Sequence, residues 1–88
     1  TRKMNAEGID VLTREFSALG LKVLPTQANF ICVRIGERAK ELVAFLERNG
    51  MIVRGLTSFG MPEYIRVTVG KPEENAFLME LVKKWCEA

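Results

Sequence analysis

Residues 64–69 alternate without interruption: Ile65, Val67 and Val69 are apolar, while Tyr64, Arg66 and Thr68 are polar or amphipathic. A period of two places one set on each side of a strand, so this segment belongs to a sheet with one buried face. Residues 29–35 repeat the pattern, with Ile31, Val33 and Ile35 facing one way and Phe30, Cys32 and Arg34 the other. A short third strand is predicted over residues 51–56 and carries Arg54, while residues 21–26 form a short apolar segment closed by Pro25. Gly60 and Pro62 punctuate the loop over residues 57–63.

Three segments switch to the helical period. Residues 2–19 carry Ile9, Leu12, Phe16 and Leu19 at three- and four-residue steps, and Gly20 follows as a C-terminal stop. Residues 37–49 carry Ala39, Leu42, Val43 and Leu46 on one stripe, with Gly50 as the stop. A last helix starts at Pro72, where a missing N–H costs nothing. Its apolar stripe is Phe77, Leu78, Leu81, Val82 and Trp85, with Glu73 and Glu74 at the positive end of the dipole and Lys83 and Lys84 at the negative end. The order helix, strand, helix, strand, strand, helix predicts an α+β sandwich of two layers. Its helices cover one face of a small mixed or antiparallel sheet. With 88 residues there is room for one core, so residues 1–88 are expected to form a single domain of marginal stability. A chain opening on an uncapped helix reads as a piece of a larger protein.

Several function classes are excluded by composition. There is no histidine, which removes serine–histidine and cysteine–histidine nucleophile pairs and histidine-based zinc sites. The two cysteines, Cys32 and Cys86, read as free thiols, Cys32 as a core residue and Cys86 near a frayed end. The net charge of +2 comes from basic residues interleaved with acidic ones, which argues against a nucleic-acid partner. Phe30 and Tyr64 alone are too few aromatics on the central strands for a single-strand RNA platform. No apolar run approaches the roughly 20 residues that cross a bilayer and no signal-peptide core opens the chain, so a cytoplasmic protein is expected. Glycine-rich phosphate loops are absent. Glu37, Glu41 and Glu47 read as solvated charges on a helix, and no lysine sits in an apolar context that would lower its pKa.

Two arginines stand out. Arg54 lies between Val53 and Gly55, and Arg66 between Ile65 and Val67, each on the polar side of its strand. Paired strands lie about 4.8 Å apart, so the two guanidiniums can converge on one face. Convergence of like charges is unfavourable unless an anion satisfies both, and the guanidinium fork matches carboxylate and phosphate. Alternatively, each arginine pairs with a surface glutamate or projects into water.

Read as a string, residues 25–75 resemble the C-terminal small domain of histidinol-phosphate aminotransferases, fold-type I enzymes that depend on pyridoxal 5'-phosphate. The resemblance rests on ANF at residues 28–30, VRG at 53–55, FGMPEYIRVTVG at 59–70 and PEEN at 72–75, in order and at the right spacing. It implies that Arg66 grips the substrate's anionic group (a carboxylate in glutamate), that Arg54 helps to bind the substrate phosphate, and that Asn29 helps to hold the substrate-facing arginine. It also implies a small-molecule substrate (a phosphorylated amino compound, with glutamate as amino donor), a partner large domain and a homodimer. The Schiff-base lysine, the acidic partner of the pyridine nitrogen and the phosphate cup belong to the family's large domain, and nothing in this chain matches them. No catalytic residue, cofactor-binding residue or metal ligand is therefore assigned here, and these residues alone are expected neither to hold the cofactor tightly nor to transaminate. Apolar surface meant for the large domain is expected to be exposed.

Two departures from the family pattern are visible. Gly55 stands where many members have Asp or Pro, and Lys71 stands where Thr or Ser would cap the last helix, a loss of about 1 kcal/mol. Aromatic amino-acid aminotransferases and threonine-phosphate decarboxylases have similar small domains, and a free-standing α+β ligand-binding module is the alternative of a different class.

Overall fold

The computed structural model describes residues 2–25 and 29–87; Thr26 and Ala28, which the sequence reading included in the first apolar segment and in the ANF motif, lie outside them. Helix α1 (Arg2–Ala18) is followed by strands β1 (Lys22–Pro25) and β2 (Phe30–Arg34), helix α2 (Ala39–Arg48) and strand β3 (Arg54–Leu56). A single 3-10 turn (Thr57–Phe59) leads into β4 (Met61–Thr68), and helix α3 (Pro72–Glu87) ends the fold. The strands form one antiparallel sheet in the order β1-β2-β4-β3.

The α+β sandwich is as expected, with one strand more. Residues 22–25 become an edge strand because Val23 and Leu24 stand opposite Val33 and Cys32 of β2. Four residues ending in proline carry almost no alternation of their own, and proline is tolerated at a sheet edge. β3 is shorter than expected because the Met51 N–H is already committed, donating to the Leu46 carbonyl at 2.8 Å. β4 begins earlier because the 3-10 turn brings Met61 opposite Leu56, with a bulge between Gly55 and Leu56.

Both of the first two helices stop through the same device. Gly20 (φ 81°) donates to the Ser17 carbonyl and Leu21 to that of Phe16, the paired bonds of a Schellman motif; Gly50 (φ 89°) and Met51 repeat it on Glu47 and Leu46. At the start of α3 the PEEN segment bonds back onto the two residues before it. Glu74 Oε1 accepts the Lys71 N–H at 2.8 Å, while buried Asn75 accepts the Gly70 N–H at 2.9 Å and donates to the Gly70 carbonyl at 3.1 Å.

The core forms between the helices and one face of the sheet. Ile31, Val33, Ile65 and Val67 from the sheet pack with Leu12 and Phe16 of α1, Leu42 and Leu46 of α2, and Leu78, Met79 and Val82 of α3. Each large side chain buried in this way contributes roughly 1.5–3 kcal/mol. Two expectations are corrected. Phe77 is exposed, while Leu78, Leu81 and Val82 of the expected stripe are buried and are joined on the buried face by Asn75 and Met79. Cys32 is not a core residue: it is half-buried on the opposite side of β2 from Ile31 and Val33. Its strand is apolar on both sides, so apolar neighbours alone did not reveal its direction. Both cysteines are free.

Candidate anion-binding face

The helices occupy one side of the sheet and leave the other side open. Register places Leu24, Cys32, Arg66 and Arg54 in one row across that open face, from β1 through β2 and β4 to β3. Phe30 and Thr68 form the next row to one side, and Lys22, Arg34 and Tyr64 the row to the other. The face therefore holds four cationic side chains and no carboxylate at any of these positions. Glu63, at the beginning of β4, reaches Arg34 at 2.6 Å and neutralises that one.

Arg54 and Arg66 are directly opposed partners in the β3–β4 ladder. Side chains at such positions leave the sheet on the same side with their Cβ atoms about 4.5–5.5 Å apart. The two arginines therefore leave the sheet on one face, as the alternation allows. Neither arginine forms an ion pair among the described residues, where the pairs are Arg14–Asp10, Arg34–Glu63, Arg38–Glu41 and Lys83–Glu15. Arg34 thus has the surface-glutamate pairing considered for the strand arginines, whereas Arg54 and Arg66 are left with their donors available.

The two differ in exposure and support. Arg54 is exposed at the sheet edge. Arg66 is half-buried, its guanidinium carbon lies 5.0 Å from the centre of the Phe30 ring, and its Nε is buried without a hydrogen-bond partner. A side chain held over a ring keeps its position while its terminal N–H groups stay open to a ligand. Two opposed guanidiniums, one anchored and one free to adjust, can clamp a carboxylate or a phosphate.

Asn29 stands at the head of β2 and is exposed. Its carbonyl accepts the Val69 N–H at 2.8 Å, which ties the end of β4 to β2. Among the described residues its side chain makes no hydrogen bond to Arg66. The contact expected of Asn29 is made by its neighbour Phe30. The available signal was parity, since Phe30 shares a face with Cys32 and hence with Arg66.

A groove of about 480 Å³ lies between α1 and α3, lined by Met4, Val11, Ala76 and Met79 with Glu15 and Lys83 at its rim. It belongs to the helical layer, away from the arginines, and its walls are mainly apolar. Arg54 and Arg66 lie instead on the open face of the sheet. No helix among the described residues is long and apolar enough to cross a membrane.

Comparison with known proteins agrees with this fold. The chain is 41% identical over 83 residues to histidinol-phosphate aminotransferase 1 of Nitrosococcus oceani, an alignment covering 94% of this chain and 22% of that protein. It is 42% identical over 83 residues to the histidinol-phosphate aminotransferase of Symbiobacterium thermophilum, covering 94% and 23%. Among solved structures, L-threonine-O-3-phosphate decarboxylase from Porphyromonas gingivalis superposes with a TM-score of 0.84 at 25% identity, covering 99% of this chain and 28% of that one. Aspartate aminotransferase from Thermotoga maritima gives 0.83 at 15% identity, covering 98% and 24%. The chain therefore spans less than a third of the length of each of these proteins. The family model for aminotransferase class I and II matches residues 1–82, nearly all of the sequence, and the chain belongs to that family.

Proposed function

We propose that this chain is the C-terminal small domain of a histidinol-phosphate aminotransferase, acting in histidine biosynthesis in the cytoplasm as part of a homodimer. The whole enzyme would exchange an amino group between L-histidinol phosphate and 2-oxoglutarate, with glutamate as the product or donor. The observation that carries this reading is the cross-strand pair of Arg54 and Arg66, neither of which forms an ion pair among the described residues. Arg66, anchored against Phe30, binds and orients the substrate's anionic group, which is a carboxylate in glutamate, and Arg54 helps to bind the phosphate of L-histidinol phosphate. Fixing the anionic end limits the rotation of the bond to be broken, which is a positioning contribution.

The family implies pyridoxal 5'-phosphate, which supplies the electron sink for chemistry at the amino-bearing carbon. The residues of this chain do not fit its site. Lys3, Lys22, Lys40, Lys71, Lys83 and Lys84 are all exposed, whereas a lysine that forms a Schiff base needs a desolvated setting. No acidic residue occupies the rows around Arg66 to meet a pyridinium nitrogen. In this reading the cofactor is held by a large domain outside these 88 residues, and the domain is inactive alone.

The test is Arg66→Ala in the full-length enzyme. Loss of a charge-assisted pair of about 2–4 kcal/mol lowers kcat/KM for glutamate roughly 30- to 1000-fold, and a change within threefold would refute the assignment. Arg54→Ala should raise KM for L-histidinol phosphate while changing kcat/KM for glutamate much less.

The likeness to a decarboxylase named for threonine phosphate, at full coverage of this chain, favours one second reading: a decarboxylase of a phosphorylated amino acid. Release of carbon dioxide from threonine phosphate, with no amino transfer from glutamate, would identify it.

A further inference from the structure

We infer that Phe30 is the positioning residue for Arg66, setting the guanidinium at the angle from which it receives the substrate's carboxylate. The inference rests on the assignment of Arg66 to carboxylate binding made above. Three observations converge on it. Phe30 sits one rung along β2 from Cys32, the direct partner of Arg66, so ring and guanidinium are diagonal neighbours on the open face, within reach of long side chains. The guanidinium carbon stands 5.0 Å from the ring centre, inside the range of cation–π attraction. The Arg66 Nε is buried and makes no hydrogen bond, so among the described residues no acceptor holds the fork.

This arrangement has a chemical consequence. Had a carboxylate or an amide oxygen held Arg66, it would have consumed one or two of the N–H groups that a substrate needs. A carboxylate would also have lowered the positive charge the substrate meets. A ring face restrains the plane of the guanidinium through its electron-rich centre and takes no directed donor. Arg66 is thereby ordered in advance with its terminal nitrogens uncommitted, which reduces the entropy lost on binding. Arg54, exposed at the edge, lacks such a support and has freedom to follow the ligand.

The experiment uses the full-length enzyme, with glutamate as the probe. Phe30→Leu keeps an apolar side chain but removes the π face; it should raise KM for glutamate about five- to tenfold while leaving kcat within twofold. Phe30→Tyr and Phe30→Trp should stay within about threefold of wild type. In an Arg66→Ala background, Phe30→Leu should add no further loss, which separates positioning of Arg66 from general damage to the sheet. If Phe30→Leu does not fold, stepwise fluorination of the ring preserves its shape while weakening its face, and KM should rise with each fluorine. Sensitivity to Arg66→Ala combined with indifference to ring fluorination and to Phe30→Leu would overturn the role of Phe30 and leave the proposed function standing. Indifference to Arg66→Ala would overturn the proposed function and the role of Phe30 with it.

Discussion

Replacing Arg54 by glutamine should make the protein more stable at low salt, an outcome opposite to that of most substitutions. Arg54 and Arg66 are directly opposed on β3 and β4, and no carboxylate neutralises either of them among the described residues. Cross-strand partners have Cβ atoms about 5 Å apart, and for two unit charges on the order of 8 Å apart at an effective dielectric constant of about 40–80 Coulomb's law gives a repulsion of ~0.5–1 kcal/mol. For a domain of this size 1 kcal/mol corresponds to roughly 4–8 °C, so Arg54→Gln should raise Tm by about 2–8 °C at 10 mM ionic strength. The gain should fade towards 1 M sodium chloride, where the screening length drops from about 30 Å to about 3 Å. Phosphate, compared with chloride at equal ionic strength, should reverse the ranking. At ten times its Kd an anion bound to the folded wild type adds about 1.4 kcal/mol, which the variant loses in large part. Thermal denaturation followed by circular dichroism measures all three effects. A variant no more stable than wild type at low salt, or equal stabilisation of both by phosphate, would refute the argument that this pair is built for an anion.

Other substitutions test the packing that holds the face in place. A Cβ at Gly8 would stand 2.4 Å from Val69 Cγ1 and 3.1 Å from Asn75 Nδ2, so Gly8→Ala should lower stability by about 1–2 kcal/mol in urea denaturation despite its gain of about 1 kcal/mol in helix propensity. In a Val69→Ala background the same change should be neutral or stabilising; simple additivity of the two substitutions would show that the close approach is not the cause. Asn75→Ala removes both hydrogen bonds to Gly70 and should cost about 2–3 kcal/mol, read as a lower urea midpoint with an unchanged slope. Asn75→Asp, which keeps the acceptor for the Gly70 N–H, should lose less.

Much of this protein is legible from local pattern because the periods of helix and strand are local properties. The alternation around Arg66 showed which side chains leave the sheet together, and the three- and four-residue steps located Leu12, Phe16, Leu42 and Leu46 in the core. Gly20 and Gly50 marked helix ends since their left-handed backbone follows from the helix just before them. Position was harder to read wherever a neighbour distant in the chain decides it. Residues 22–25 are a strand through their pairing with β2, and Phe77 is exposed because the face of α3 that meets the core is chosen by the other two layers.

The candidate site divides along the same line. That Arg54 and Arg66 could share a face followed from the sequence alone, since parity within a strand needs no partner. That they stand opposite each other followed from the 3-10 turn over Thr57–Phe59 and the bulge at Gly55 and Leu56, which set the register of β3 on β4. A slip of one residue would have sent Arg54 to the other side of the sheet. Likewise Asn29 and Phe30 adjoin in the chain, yet pairing across β2 and β4 put the ring, not the amide, against Arg66. Local sequence determined which side chains leave each strand together; hydrogen-bonded register between strands, a long-range property, decided which face of the sheet that is and what each arginine meets there.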